Sequence, residues 1–221
     1  MKVSAIIPAA GSGRRFGEAK QFKLLGGRPL LFHSLKPFLE SSIIQEVIVV
    51  VPDYQIDTVH NDLLSISAGK PLKVIAGGTR RQDSVKNGVT ATVSSTTMVC
   101  IHDAVRPFVS ETLINNSIAA CKTADGAVVA LRSIDTVKLS ESGIVKETLN
   151  REKIWLVQTP QTFRKDKLIQ ALDHADAKRL TATDESYLME AMGFSVALVQ
   201  GEINNFKITT MDDWKRAEYL I

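Results

Sequence analysis

The sequence predicts an α/β fold: an open, mainly parallel sheet carrying an inserted β-hairpin arm. Three observations carry this. Short β-branched apolar runs alternate with longer segments of helical periodicity. Several of those runs end in loops rich in Gly, Pro or Asp. One stretch, residues 133–150, breaks the pattern with polar–apolar alternation around a turn.

Val3–Pro8 is the first buried strand, and Pro29–Glu40 reads as a helix, with Pro at an early helical position and apolar residues at Leu31, Leu35, Phe38 and Leu39. Glu46–Val51 is a strand ended by Pro52-Asp53, followed by helix from Asp57 to Ile66. Leu72–Ala76 is the third strand, closed by Gly77-Gly78, and Arg80–Val93 is helix. Met98–Ile101 is strand, Glu111–Lys122 helix and Ala127–Leu131 the next strand. The hairpin has Ser140-Glu141-Ser142-Gly143 as its turn, and it has too little apolar surface to stand alone. It must cover either its own domain or a partner subunit. After Trp155 come helices at Lys165–Ala177 and Asp184–Ala191, a strand at Ser195–Val199 and a last helix from Asp212. No repeat or linker divides the chain, so residues 1–221 form one domain with 133–150 as its protruding arm.

At 221 residues, 44% apolar and 23% charged, the chain has the composition of a soluble globular protein. A domain of this size buries roughly 70% of its unfolded surface, so it needs no disulfide or structural metal to fold. The net charge of +3 and the absence of a run of like charges argue against nucleic acid as a partner. Val47–Val51 is far shorter than the ~20 residues that span a bilayer. Pro8 and the glycines and arginines after it break any signal-peptide core. With Cys100 and Cys121 its only cysteines, the chain reads as reduced, cytoplasmic and free of membrane.

The most informative segment is Pro8-Ala9-Ala10-Gly11-Ser12-Gly13-Arg14-Arg15-Phe16-Gly17, with Lys20 shortly after, directly following the first strand. Small residues let backbone N–H groups approach an anion, and the arginines and lysine add positive charge. The spacing is neither the dinucleotide G-x-G-x-x-G nor a P-loop. A second loop, Gly77-Gly78-Thr79-Arg80-Arg81-Gln82-Asp83-Ser84, enters a helix, where Thr79 could serve as a simple cap. A third, His102-Asp103-Ala104-Val105-Arg106-Pro107, places an acid beside an arginine at a strand end; it could hold a hydroxyl or a divalent ion, or be a structural pair. In an open parallel sheet these loops lie on one side, so their convergence predicts a polyphosphate site. A nucleoside triphosphate brings about four negative charges, which clustered cations and one divalent ion can stabilise.

The remaining candidates carry no chemistry. His33, His60 and His174 lack ligand-spaced partners, and Cys100 with His102 supplies only two ligands. Trp155 and Trp214 read as packing residues, and Asp212-Asp213 as the cap of the last helix.

The segments PAAGSGRRFG…KQF (8–22), GGTRRQDSV (77–85), HDAVRPF (102–108), DTVK (135–138), QTPQTF (158–163), TDE (183–185) and NNFKIT (204–209) occur in order along almost the whole chain. In these the sequence resembles the 2-C-methyl-D-erythritol 4-phosphate cytidylyltransferase family, with Ala19 a departure from the proline usual there. The resemblance implies a Rossmann-like fold of the nucleotidyltransferase type. It also implies transfer of the cytidylyl group from CTP to a polyol phosphate, with Mg²⁺ and no covalent enzyme intermediate. By motif position Arg15, Lys20, Arg151 and Lys207 would be catalytic. Ala9, Ala10, Gly11, Gly13, Gly78, Thr79 and Ser84 would bind CTP, and Asp103, Arg106, Thr136, Thr159 and Thr183 the acceptor. The protein ligand of the metal stays open, with Asp103 its natural candidate. The resemblance further implies a homodimer in which the arm carries Thr136 and Arg151 to the neighbouring subunit.

The nearest rival is a ribitol-5-phosphate cytidylyltransferase, which HDAVRPF and IDTV would also suit; Pro8–Gly11 and Thr183–Glu185 favour methylerythritol phosphate. A non-catalytic nucleotide-binding regulator would be expected to have lost a cation among Arg15, Lys20 and Lys207, and a structural protein gives no reason for three cationic strand-end loops.

Overall fold

The structure is a computed structural model, and it describes every residue except Met1, Ser12, Arg14, Arg15, Ser65, Ser67 and Ala68. In chain order the elements are β1 (Val3–Pro8), β2 (Leu24–Leu25), β3 (Arg28–Pro29), α1 (Leu30–Glu40), β4 (Ile44–Val51), α2 (Ile56–Leu64) and β5 (Leu72–Ala76). Then come α3 (Arg81–Ala91), β6 (Met98–Ile101), α4 (Glu111–Ala120), β7 (Gly126–Arg132), β8 (Val137–Glu141) and β9 (Ile144–Leu149). The chain ends with β10 (Trp155–Arg164), α5 (Lys165–Lys178), α6 (Glu185–Ala191), β11 (Val196–Gln200) and α7 (Met211–Glu218).

The main sheet has the order β11-β7-β10-β6-β1-β4-β5. Its pairings are parallel except at β10, which runs antiparallel to both β6 and β7. After β1 the chain builds outward through β4 and β5, then returns to place β6 on the other side of β1. That reversal opens a crevice beyond the carboxyl ends of β1 and β6, where open α/β sheets bind their ligands.

Central strands covered on both faces need apolar residues in both registers. In β1, Val3, Ala5 and Ile7 join α1, α2 and α4 in one core. Ile6 points the other way, among residues of α3, α5 and α6. Gly88 of α3 has no room for a side chain, since a Cβ there would lie 2.5 Å from Ile6. A third, smaller cluster lies outside both layers. It joins Leu25, Leu30, Ile208, Trp214 and Ala217 to Phe16, Val105, Phe108 and Phe206, so one apolar plug anchors the strand-end loops and the C-terminal helix together.

The expected strands and helices are present, most with ends shifted by one or two residues. The strand expected from Glu46 begins at Ile44, and the helix expected to reach Val93 ends at Ala91. The cap of α7 is Thr210, in a reciprocal capping box with Asp213. The strand β10 had no sequence signal. Its WLVQTPQTFR is polar and contains proline, which normally argues against a central strand. Pro160 is tolerated because the pairing with β7 breaks register between Val157 and Gln161, so its missing N–H costs no ladder bond there. The hairpin β8–β9 forms as expected, with Ser142 and Gly143 at positive φ in the turn. It is exposed along nearly its whole length, so it does not cover its own domain.

Candidate active site

The three cationic loops meet. Beyond β1 and β6 lies a cleft of about 630 Å³ lined by Ala9, Ala10, Gly11, Gly13, Lys20, Gly78, Thr79, Ser84, Asp103 and Lys207, together with Gln21, Arg80 and Arg81. A second hollow of about 240 Å³ adjoins it, lined by Arg106, Gln158, Thr159, Gln161, Thr183 and Asp184. Arg81, Asp103 and Lys207 line both and form the boundary between them.

The first loop is shaped by its own backbone. Gly13 sits at φ +66, where a Cβ would lie within 2 Å of the Glu18 carbonyl oxygen, so only glycine closes this turn. The carboxamide of Gln21 donates to the Ala9 carbonyl (2.8 Å) and the Gly11 carbonyl (2.7 Å), pinning the stretch that faces the cleft. Phe16 packs on Trp214 of α7 with ring centroids 5.7 Å apart. The Lys20 ammonium lies 5.2 Å from the Phe16 centroid. The second loop presses directly on the first. A Cβ on Gly77 would sit 2.4 Å from that of Ala10, so glycine is needed for the close approach rather than for its φ. The Ser84 hydroxyl accepts from the Gly78 N–H (3.1 Å) and donates to the Arg80 carbonyl (3.2 Å), so it braces the loop from within. Thr79 is not the cap of α3; Arg80 is, with Asp83 completing the box.

The third loop holds the charge centre. Asp103 meets Lys207 at 3.0 Å, Arg81 at 3.4 Å and Arg106 at 3.5 Å. Burial alone would raise its carboxyl, but Lys207, Arg81 and Arg106 overcome this and hold it far below the usual range. Among the described residues it is the only acid lining the larger cleft. Behind it runs a chain of hydrogen bonds. The Asp103 N–H donates to Thr159 Oγ1 (3.0 Å), Thr159 lies 3.0 Å from His102 Nδ1, and His102 Nε2 lies 3.0 Å from the Arg106 carbonyl. A carbonyl only accepts, so Nε2 carries the proton and Nδ1 accepts from the Thr159 hydroxyl. That network fits a neutral imidazole, and burial lowers the His102 pKa to about 4. Arg106 donates to the Asn205 carbonyl (2.8 Å), while the Asn205 amide donates to the Thr159 carbonyl (2.7 Å). Hydrogen bonds therefore link the residues that wall the second hollow to one another.

Arg15 lies outside the described residues. Thr136 and Arg151 line neither hollow; the Arg151 guanidinium donates to the Ile134 carbonyl at the base of the arm. Sequence reasoning assigned no role to Gln21, Arg81, Glu185 or Asn205. Gln21 and Asn205 act through backbone carbonyls, which no side-chain pattern reveals, and Arg81 meets Glu185 across 104 residues of sequence.

Among the described residues no cluster of three or more His, Cys, Asp or Glu side chains is placed to hold a metal. A single cleft-facing carboxylate fits a Mg²⁺ ion that takes its other ligands from phosphates and water. No helix among the described residues is long and apolar enough to cross a membrane.

The 2-C-methyl-D-erythritol 4-phosphate cytidylyltransferase family model matches residues 3–221. A protein of that name from Geobacter metallireducens is 41% identical over all of this chain and 98% of its own length. The crystal structure of 4-diphosphocytidyl-2C-methyl-D-erythritol synthase from Anaerococcus prevotii superimposes with a TM-score of 0.89 at 32% identity, over 99% of this chain and 97% of that one. The 2-C-methyl-D-erythritol 4-phosphate cytidylyltransferase of Thermus thermophilus gives 0.81 at 36%, over 100% and 98%. A match of this length and depth, on a sheet whose switch point gathers the cationic loops, shows that the chain belongs to the 2-C-methyl-D-erythritol 4-phosphate cytidylyltransferase family.

Proposed function

We propose that this chain transfers the cytidylyl group of CTP to 2-C-methyl-D-erythritol 4-phosphate, giving 4-diphosphocytidyl-2-C-methyl-D-erythritol and pyrophosphate. The observation that carries the reading is the paired hollow with Arg81, Asp103 and Lys207 at its junction. One compartment has the glycine-rich amides and cations suited to a triphosphate, the other the hydroxyls and arginine suited to a polyol phosphate. The family match favours methylerythritol phosphate over ribitol 5-phosphate as acceptor.

The acceptor's phosphate oxygen is already anionic near neutral pH, so no general base is required. It attacks the α-phosphorus of CTP in line. The new P–O bond forms as the bond to the β-phosphate's bridging oxygen breaks, and pyrophosphate leaves with that electron pair. The protein's task is to hold two repelling anions together and stabilise charge on the five-coordinate phosphorus. Ala9–Gly13, Gly78, Thr79 and Ser84 receive the nucleotide, Lys20 and Arg15 stabilise the developing charge, and Lys207 holds the acceptor phosphate. Arg106, Thr159 and Thr183 meet the acceptor. Asp103 would hold Mg²⁺, which when bound neutralises phosphate charge. Asp103 meanwhile keeps Lys207 aimed at the junction.

The active unit is a homodimer. The hairpin exposes Ile134, Leu139, Ile144 and Val145, with Ile134 80% and Ile144 67% accessible, and a ribbon of that kind needs a surface to cover. Dimerisation would bring Thr136 and Arg151 to the partner's acceptor compartment. Pyrophosphate release with CTP and each polyol phosphate in turn tests the reaction. Turnover with ribitol 5-phosphate alone would overturn the acceptor, and release with neither would overturn the reaction class.

A further inference from the structure

Arg81 stands at the junction of the two compartments and is gripped from behind. Its Nη1 meets both carboxylate oxygens of Glu185 at 2.7 Å, while Nη2 points to Asp103 at 3.4 Å. Glu185, in the first turn of α6, is 1% exposed and lines neither hollow. Among the described residues, its side-chain hydrogen bonds reach the hollows through Arg81. The two contacts of Arg81 are unequal. The Glu185 bond is short and double, whereas the Asp103 contact is long, and Asp103 has Lys207 closer at 3.0 Å. An arriving phosphate oxygen can therefore take Nη2 without breaking a strong bond, while Nη1 keeps the planar fork from turning away.

A tie between α3 and α6 would not by itself call for a charged pair. Desolvating two ions offsets most of their attraction, and well-packed apolar residues of similar volume hold helices together as well. The pair instead places one guanidinium edge at the point both hollows share.

We propose that Arg81 touches the phosphates that meet at this junction, and that Glu185 is the positioning residue that aims it. The assignment rests on the cytidylyl-transfer reading for the identity of those phosphates. It is tested with the full-length protein and the variants Arg81→Gln, Glu185→Gln and their combination, measuring kcat and KM for pyrophosphate release, calorimetric affinity for CTP, and melting temperature. Arg81→Gln should lower kcat by ~10²–10³-fold, as removal of one preorganised donor at a reacting centre does. Glu185→Gln keeps the side chain's size and one acceptor oxygen but loosens the grip, and should lower kcat by about 10-fold. The combined variant should be no worse than Arg81→Gln alone, because residues acting as one unit are not additive. Losses that multiply, or a Glu185→Gln variant that melts earlier with kcat unchanged, overturn the proposal. If the wild-type protein releases no pyrophosphate, the cytidylyl-transfer reading fails on its own. The same cycle read in CTP affinity then decides this inference, with non-additive losses supporting it and multiplicative ones refuting it.

Discussion

His102 makes the state of this site measurable through stability. The imidazole is fully buried, one nitrogen bonded to the Thr159 hydroxyl and the other to the Arg106 carbonyl, with Phe38 5.1 Å away. Burial lowers its pKa from 6.5 to about 4; the Asp103 carboxylate pulls the other way and the Arg106 guanidinium adds to the lowering. Above the unfolded value both states are neutral and His102 adds no pH dependence. Between 6.5 and about 4 the unfolded chain takes up a proton that the folded one refuses, so stability falls on acidification. The difference amounts to about 2 kcal/mol by about pH 5 and about 3 kcal/mol by about pH 4. Below that the His102 contribution is flat, and Asp103, held low by its cations, begins to add its own loss. Urea unfolding of the wild type and of His102→Gln between about pH 7 and pH 5 isolates the effect. The variant should be less stable at neutral pH but lack the extra slope. The His102 ring resonance in the folded wild type should stay at its neutral shift over the same range. A stability difference independent of pH, or a ring titrating near 6.5, would refute the reasoning.

Arg15→Ala should lower kcat by ~10³–10⁵-fold, with KM for CTP less affected, if the side chain neutralises transition-state charge; steady-state kinetics check this, and a small change confined to KM contradicts it. Ser84→Ala should weaken CTP binding by about 1–3 kcal/mol through loss of the brace on Gly78, read by calorimetry. Gly77→Ala should cost CTP affinity at least as much, because the new methyl meets Ala10 rather than a flexible side-chain end. Ile144→Lys in the arm should convert dimer to monomer in sedimentation and abolish turnover while CTP binding persists; a fully active monomer would end the shared-site reading. Cys100, whose thiol burial pushes up to about 12, should resist alkylation until the protein unfolds.

What could be read in the sequence was what local physics controls. The β-branched runs of β1, β4 and β6, the helical spacing of α1 and the turn of the hairpin are set by near neighbours, and each lies where the residues place it. The convergence of the loops at 9–13, 77–84 and 102–106 was also legible, because a parallel sheet puts all its strand ends on one side. Tertiary structure alone decided the rest. The polar, proline-bearing β10 becomes a central strand only because β6 and β7 supply ladders on both sides of it. The neutrality of His102 depends on burial, and the orientation of its ring on Thr159, 57 residues away. The grip of Glu185 on Arg81 arises where two helices on one face of the sheet meet. Sequence pattern reports which residues share a strand or helix face; which charges share a cavity is settled by the path of the chain, since Coulomb energy depends on distance in space.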